Sequence, residues 1–374
     1  MHRLIALDLP GGADFVLALR RCWDDGDAVM VLDPRLPTIA RTALIGAARP
    51  HHAITALGGD PVPLDPAAPP VEPGDALVVT TSGSTGEPKV LVHTQDSLLA
   101  HATAVHRHLV VDPARDRWLA TLPLNHLGGF GVVARSVLTD TPLDVEPTFD
   151  PEVVAAAPDR FGTTLVSLVA TALDRLDPSP FRWVVLGGSA DPVVRPANVV
   201  RTYGLTETGG GVVYEGTPLP GVEVRIDGSG QISIRSETTA RGRRSSNGEV
   251  TRLVDAAGWL ATGDLGRWED GRLVVEGRAD DLIVTGGENV WPGPVEEVLR
   301  THPAVADVMV VGEPDQEWGQ RVVAVVIPAD PVAPPSLEAL RVHVKAVLPA
   351  YTAPRELRLT TAIERTALGK VIRR

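Results

Sequence analysis

Thr80-Thr81-Ser82-Gly83-Ser84-Thr85-Gly86-Glu87-Pro88-Lys89 follows directly on the apolar run Ala76-Leu77-Val78-Val79. Such a run ahead of a Gly/Ser/Thr loop reads as a buried strand, Ala76–Thr80, that delivers the loop to the end of a sheet. Glycines let backbone N–H groups approach an anion, hydroxyls add donors and a lysine adds charge, so the loop suits a polyphosphate. It is not a Walker A loop, because Gly83 and Gly86 stand too close together and Val90 follows the lysine. A linker of this composition has little reason to sit between a buried strand and the next helix, here expected to carry Ser97–His108.

The flanking text keeps an α/β rhythm. A helix after Phe15 precedes a strand at Ala28–Leu32. Strands are expected at Trp118–Leu122, Thr164–Leu168 and Trp183–Leu186, with helices at Gly131–Leu138 and Ala170–Leu176 between them. This alternation predicts a mostly parallel sheet covered by helices. Residues 58–74, dense in Pro and Gly, read as an extended surface connector. After Tyr203 short strands such as Val222–Ile226 and Gln231–Arg235 predict an antiparallel β subdomain, with a basic polar loop at Arg241–Asn247. From Asp280 onward a compact α+β pattern follows: Ile283-Val284, a helix at Val295–Arg300, strands Ala306–Val311 and Val322–Ile327, and a helix at Leu337–Val347. The expected organisation is a large N-terminal domain, 1–279, and a small C-terminal domain, 280–374, reached through a hinge near Asp280.

Composition narrows the function. The 374 residues are 44% hydrophobic and 22% charged, with 36 Gly and 33 Pro, which fits a turn-rich globular protein. A formal net charge of −12 disfavours broad binding to nucleic acid or anionic lipid. Cys22 is the only cysteine, so an intrachain disulfide is impossible and a reducing cytoplasm is the expected setting. The start, MHRLIALDLPGG, has too short an apolar run for a signal peptide, and no run is long enough to span a membrane. Small-molecule partners are therefore expected, and a homodimer is a mild expectation.

Further motifs follow in order. The decapeptide resembles the phosphate loop of the adenylate-forming superfamily of acyl-CoA synthetases, luciferases and carrier-protein-loading adenylation domains. Tyr203-Gly204-Leu205-Thr206-Glu207-Thr208 resembles that family's adenine and metal motif, and Thr262-Gly263-Asp264 its ribose-binding turn. Gly277-Arg278-Ala279-Asp280-Asp281 and Gly286-Gly287-Glu288-Asn289 resemble its hinge and the loop after it. Thr366-Ala367-Leu368-Gly369-Lys370 resembles its C-terminal lysine motif. Each motif alone has a plain structural alternative, such as a core aromatic, a turn carboxylate or a solvated lysine. Five in the family's order, from position 80 to 370, do not.

The resemblance implies ATP, Mg2+ and coenzyme A as co-substrates and cofactor. Thr81, Ser82, Gly83, Ser84, Thr85, Gly86 and Lys89 would contact phosphate. Gly188, Ser189, Tyr203 and Gly204 would contact adenine, Thr206 a phosphate, and Asp264 and Arg278 the ribose. Glu207 would hold Mg2+, Lys370 would catalyse adenylation, and Asp280 would be the hinge. Gly286, Gly287, Glu288 and Asn289 would serve the thioester step.

Leu122-Pro123-Leu124-Asn125-His126-Leu127-Gly128-Gly129-Phe130-Gly131 resembles the family motif that places a histidine between acyl pocket and phosphate. The glycines after His126 favour close ligand approach. Together with Thr164–Leu176, which contains Ser167, this stretch is most similar to the o-succinylbenzoyl-CoA synthetases of menaquinone biosynthesis. His126 and Ser167 are then expected at the acid, with Arg195 and Arg201 as candidates for its second carboxylate. Gly187-Gly188-Ser189-Ala190-Asp191-Pro192 stands where the family has Gly-Gly-Ala-Pro, and departs from it in order. A carrier-loading module is less expected, since only four residues follow Lys370. Another aryl- or acyl-CoA ligase is the nearer alternative.

Overall fold

The computed structural model describes residues 2–82, 88–188, 195–365, 371 and 373. The chain divides into two compact units, Met1–Arg225 with Ser233–Ala261, and Ile226–Ile232 with Thr262–Arg374.

The first unit holds two mixed sheets. One has eight strands in the order Val250–Thr251, Gly242–Arg244, Pro88–Thr94, Asp75–Ser82, Ala28–Val31, Leu4–Leu7, His52–Ile54 and Val62–Pro63. Its centre is parallel, with Leu4–Leu7 between Ala28–Val31 and His52–Ile54. Leu4, Ala6, Ala28, Met30, Val78, Val90 and Val92 make one core, which explains the unbroken apolar text of these strands. The other sheet has seven strands, with Leu143–Val145, Trp118–Ala120, Leu165–Val169, Trp183–Gly187 and Val199–Leu205 all parallel. Leu119, Val166, Leu168, Val184 and Leu186 pack there with Val154 and Ala157 of helix Pro151–Phe161.

Helix Leu127–Leu138 is buried along almost its whole length, as an all-round apolar sequence requires. Its first turn lies tight on the preceding chain: a Cβ at Gly129 would meet the Leu122 carbonyl oxygen at 2.3 Å and that of Pro123 at 2.5 Å. The glycines after His126 therefore serve packing as well as access.

Strand Leu260–Glu269, which belongs to the second unit from Thr262 on, pairs antiparallel with Arg272–Arg278, from Asp264↔Arg278 to Glu269↔Arg272. A five-stranded sheet follows, with Glu288–Val290, Ile283–Thr285, Gly319–Pro328 and Val305–Asp315 in that order, and Glu356–Leu359 parallel to Gly319–Pro328. Val295 and Leu299 of helix Pro292–Arg300 and Leu340 and Val344 of helix Leu337–Lys345 close its core with Val308, Val310, Val322 and Val326. The mixed α/β class, the antiparallel ladder and the compact α+β end match the expectation. Among the described residues no helix is long and apolar enough to cross a membrane.

Two local expectations are corrected. The phosphate loop does not lead from strand to helix: Asp75–Ser82 and Pro88–Thr94 are antiparallel neighbours, with Thr81↔Lys89 and Ser82↔Pro88 opposed. Arg241–Asn247 is not a solvated basic loop, because it contains strand Gly242–Arg244. Arg241 donates twice to Asp75, at 2.8 Å each, and that carboxylate is only 1% exposed. Arg244, also buried, donates to the carbonyls of Pro69 and Pro70. Guanidinium groups matched to a buried carboxylate and to orphan carbonyls are structural. The same carbonyls tie down the 58–74 connector, in which Ala68 and Val71 are buried.

Candidate active site

The flanks of the phosphate loop are placed by the ladder that opposes Thr81 and Lys89. Gly83, Ser84, Thr85, Gly86 and the side chain of Ser82 lie outside the described residues, as do Ser189 and Lys370. Lys89 is half-buried, and among the described residues it has no carboxylate partner, which leaves its charge open to an anion.

Thr80, at the same strand end, shares a pocket with His126, Asn125, Leu124, Phe130 and Val31. His126 caps helix Leu127–Leu138 through its carbonyl, which accepts from the Phe130 N–H at 2.8 Å. Burial pushes its imidazole below the usual histidine range; nearby Asp33 works against the shift and Arg35 with it. At neutral pH His126 is thus an uncharged donor and acceptor. Among the described residues Asn125 Oδ1 is buried with no hydrogen-bond partner, an acceptor left open at the same pocket. Sequence reading passed over Asn125; its polar side chain inside an apolar Leu-Asn-His text was the available signal.

The segment expected to form the adenine and metal motif runs from strand Val199–Leu205 through a 3-10 turn, Thr206–Thr208, into strand Gly210–Tyr214. The two strands pair with an irregularity at Tyr203/Gly204. A Cβ on Gly204 would stand 1.9 Å from the Gly210 carbonyl oxygen, so glycine is required by the backbone whatever its contact with adenine. Buried Thr208 closes the turn: its hydroxyl accepts from the Leu205 N–H at 2.8 Å. Gly204→Ala is expected to raise the ATP KM about tenfold in steady-state pyrophosphate release, since overpacking against backbone costs roughly 1–3 kcal/mol.

Two buried histidines that the sequence did not single out hold this turn. His93 Nε2 lies 2.8 Å from the Thr206 carbonyl oxygen and His101 Nε2 lies 3.0 Å from that of Gly211. A carbonyl only accepts, so both Nε2 atoms carry the proton. Burial lowers both pKa values, to about 4 for His93 and about 3 for His101.

Strands Leu165–Val169 and Trp183–Gly187 run parallel and end together at Val169↔Gly187. Gly188 follows at a positive φ of 102°, and ligands of open α/β sheets sit outside such carboxyl ends. Ser167 is buried on the first of these strands. Arg195 is held by Glu215 at 2.6 Å, and that carboxylate also accepts from the Arg201 backbone N–H. Glu215 therefore compensates much of the charge that Arg195 would offer to a substrate carboxylate.

In the second unit the ladder register brings the expected ribose pair together. Arg278 Nη1 donates to Asp264 Oδ1 at 3.3 Å and to the Thr262 carbonyl at 3.0 Å. The Asp264 N–H donates to Thr262 Oγ1 at 3.0 Å, which fixes the turn around Gly263, whose φ is 74°. Asp280 is exposed in the 3-10 turn Ala279–Asp281 after the ladder. Gly286-Gly287 is a two-residue hairpin turn, both at positive φ, between Thr285 and Glu288, and Glu288 and Asn289 are exposed beside it. On either side of the lysine motif the chain is anchored. Arg365 binds Asp307 at 2.6 Å and bridges to Val371, and Arg373 binds buried Glu296 at 2.6 Å.

Mg2+ takes one or two carboxylates together with substrate phosphates, not a dedicated protein cage. The donor set fits: Glu207 is half-buried on the turn, its main-chain carbonyl is held by the Ala240 N–H at 2.8 Å, and among the described residues its carboxylate has no partner. Among the described residues no group of three or more His, Cys, Asp or Glu could hold a metal without such phosphates.

Residues 13–242 match the family model of the AMP-binding enzyme, and residues 294–370 that of the AMP-binding enzyme C-terminal domain. A probable 2-succinylbenzoate–CoA ligase of Mycobacterium tuberculosis is 38% identical, over 98% of this chain and 96% of its own length. A 2-succinylbenzoate–CoA ligase of Bacillus cytotoxicus is 32% identical, over 79% and 68%. Among solved structures, the Bacillus subtilis o-succinylbenzoate CoA synthetase in complex with its acyl-adenylate intermediate superposes with a TM-score of 0.84 at 25% identity, over 99% of this chain and 87% of that one. The same enzyme with ATP and magnesium gives 0.85 at 25% identity, over 99% and 88%. The chain belongs to the AMP-binding enzyme family.

Proposed function

We propose that the protein is an ATP-dependent acid–CoA ligase that converts o-succinylbenzoate, through its acyl-adenylate, to o-succinylbenzoyl-CoA on the route to menaquinone. The observation that carries this is its end-to-end similarity to the mycobacterial ligase. The site supplies what the chemistry needs.

In the first half-reaction the acid's carboxylate oxygen attacks the α-phosphorus of ATP, the bond to the β-phosphate oxygen breaks and pyrophosphate leaves. Two anions must approach while charge builds on phosphoryl oxygens. Lys89 and the Thr206 hydroxyl offer charge and a donor, and Lys370 is assigned to the same task. Mg2+ held with Glu207 would supply further charge neutralisation when bound. The uncharged His126 orients the acid without adding a charge of its own. Asp264 accepts from the ribose hydroxyls, its carboxylate aimed by Arg278. In the second half-reaction a thiol attacks the acyl carbonyl and AMP leaves. We assign Asp280 as the hinge between 1–279 and 280–374, and the exposed turn Gly286–Asn289 to this step. The reading carries a cytoplasmic location and a homodimer.

The test is pyrophosphate release with ATP and Mg2+ across a panel of acids, each with and without coenzyme A. Release and thioester formation with o-succinylbenzoate alone are expected. Preference for another aromatic or fatty acid would keep the chemistry and change the pathway, and no release with any acid would overturn the proposal.

A further inference from the structure

We infer that His93 and His101 are positioning residues for the nucleotide, two imidazoles that hold the main chain of the Thr206–Gly211 turn and so set ATP binding. The inference rests on reading that turn as the adenine and metal motif. Strand Pro88–Thr94 starts at the phosphate loop with Lys89 near its head, and His93 near its end donates to the Thr206 carbonyl at 2.8 Å. One rigid strand thus joins the two segments that must grip opposite parts of ATP. His93 is fully buried, so its geometry is fixed by packing.

The next element repeats the device. Thr94 and Ser97 form a reciprocal cap, each side chain bonding the other's N–H at 3.1 Å, which locks the start of helix Gln95–Leu109. Two turns along, His101 donates to the Gly211 carbonyl at 3.0 Å. Its ring lies where a Cβ on Gly210 would come within 3.4 Å and one on Gly209 within 3.7 Å. Both glycines have positive φ, 77° for Gly209 and 123° for Gly210, so beyond the Thr208 hydroxyl the Gly209–Gly211 stretch has no side chain of its own to brace it. Thr206 and Glu207 keep their places because these imidazoles hold the Thr206 carbonyl, which lies between the two residues, and the Gly211 carbonyl at the far end of the turn. Neither histidine touches substrate in this account; each acts through the turn.

A leucine at 93 keeps the volume and removes the donor, and a glutamine restores an N–H at nearly the reach of Nε2. His93→Leu is expected to raise the KM for ATP about tenfold, with the KM for the acid changed less than about twofold, and His93→Gln to recover most of the loss. His101→Leu and His101→Gln are expected to repeat the pattern, and they carry the comparison should His93→Leu not fold. Equal rises in both KM values, or no rescue by glutamine at either position, would overturn the inference. Wild-type protein that neither binds ATP in calorimetry nor releases pyrophosphate would instead sink the underlying functional reading.

Discussion

Lys370→Ala is expected to slow acyl-adenylate formation about a hundredfold or more while leaving thiolysis of supplied acyl-adenylate nearly intact. The first half-reaction brings a carboxylate onto a polyphosphate, and a preorganised charged donor at such a centre is worth on the order of 3 kcal/mol. The second expels AMP from a neutral carbonyl and needs that charge far less. The chain is anchored on both sides of the lysine motif. Arg365 is tied to Asp307, Val371 is bridged to Arg365, and Arg373 is tied to Glu296 and the Val310 carbonyl. On the proposed roles of Lys370 and the Asp280 hinge, the two half-reactions are expected to be separable by domain motion. Single-turnover pyrophosphate release, set beside thioester formation from synthetic adenylate, checks this. Equal loss in both halves would contradict the alternating account.

Much of the fold was legible because its strands are buried on both faces. Ala28–Val31, Leu165–Val169 and Trp183–Gly187 are short apolar runs bounded by turn residues. Pro88–Thr94 was not read as a strand, since a proline and a lysine open it and a histidine sits near its end. Leu4–Leu7 looked merely like a short apolar start. The site was legible where chemistry needs a motif. The Asp264–Arg278 pair could be anticipated as two residues, but their contact comes from ladder register. His93 and His101 were invisible for a plainer reason: their partners are main-chain carbonyls 113 and 110 residues away, and a carbonyl has no sequence signature. Arg241 misled in the opposite sense, because Asp75, which neutralises it, lies 166 residues earlier.

Those same histidines predict an acid-labile fold. Burial, opposed by the bond to the Thr206 carbonyl, lowers the His93 pKa to about 4. Burial, helped by the nearby Arg135 guanidinium, lowers that of His101 to about 3. In the unfolded chain both return to about 6.5. Below that value the unfolded state takes up two protons that the native state refuses, so stability is full above pH 6.5 and falls as the solution is acidified, continuing towards pH 3. Between pH 7 and pH 5 most carboxylates stay ionised in both states, which leaves the histidines to set the slope. Every other histidine with a resolved shift, His51, His106, His108, His126 and His302, is displaced in the same direction. The unfolding free energy from urea titration is expected to drop by about 4 kcal/mol over that interval from His93 and His101 alone. In a chain of ordinary stability that is a large fraction of the total. The double variant His93→Gln, His101→Gln should start less stable at pH 7 and lose the share of the slope that these two contribute, leaving that of His106 and the other displaced histidines. A variant that keeps the wild-type slope would show that the proton uptake lies elsewhere, and that these two imbedded imidazoles are not refused protons by the fold.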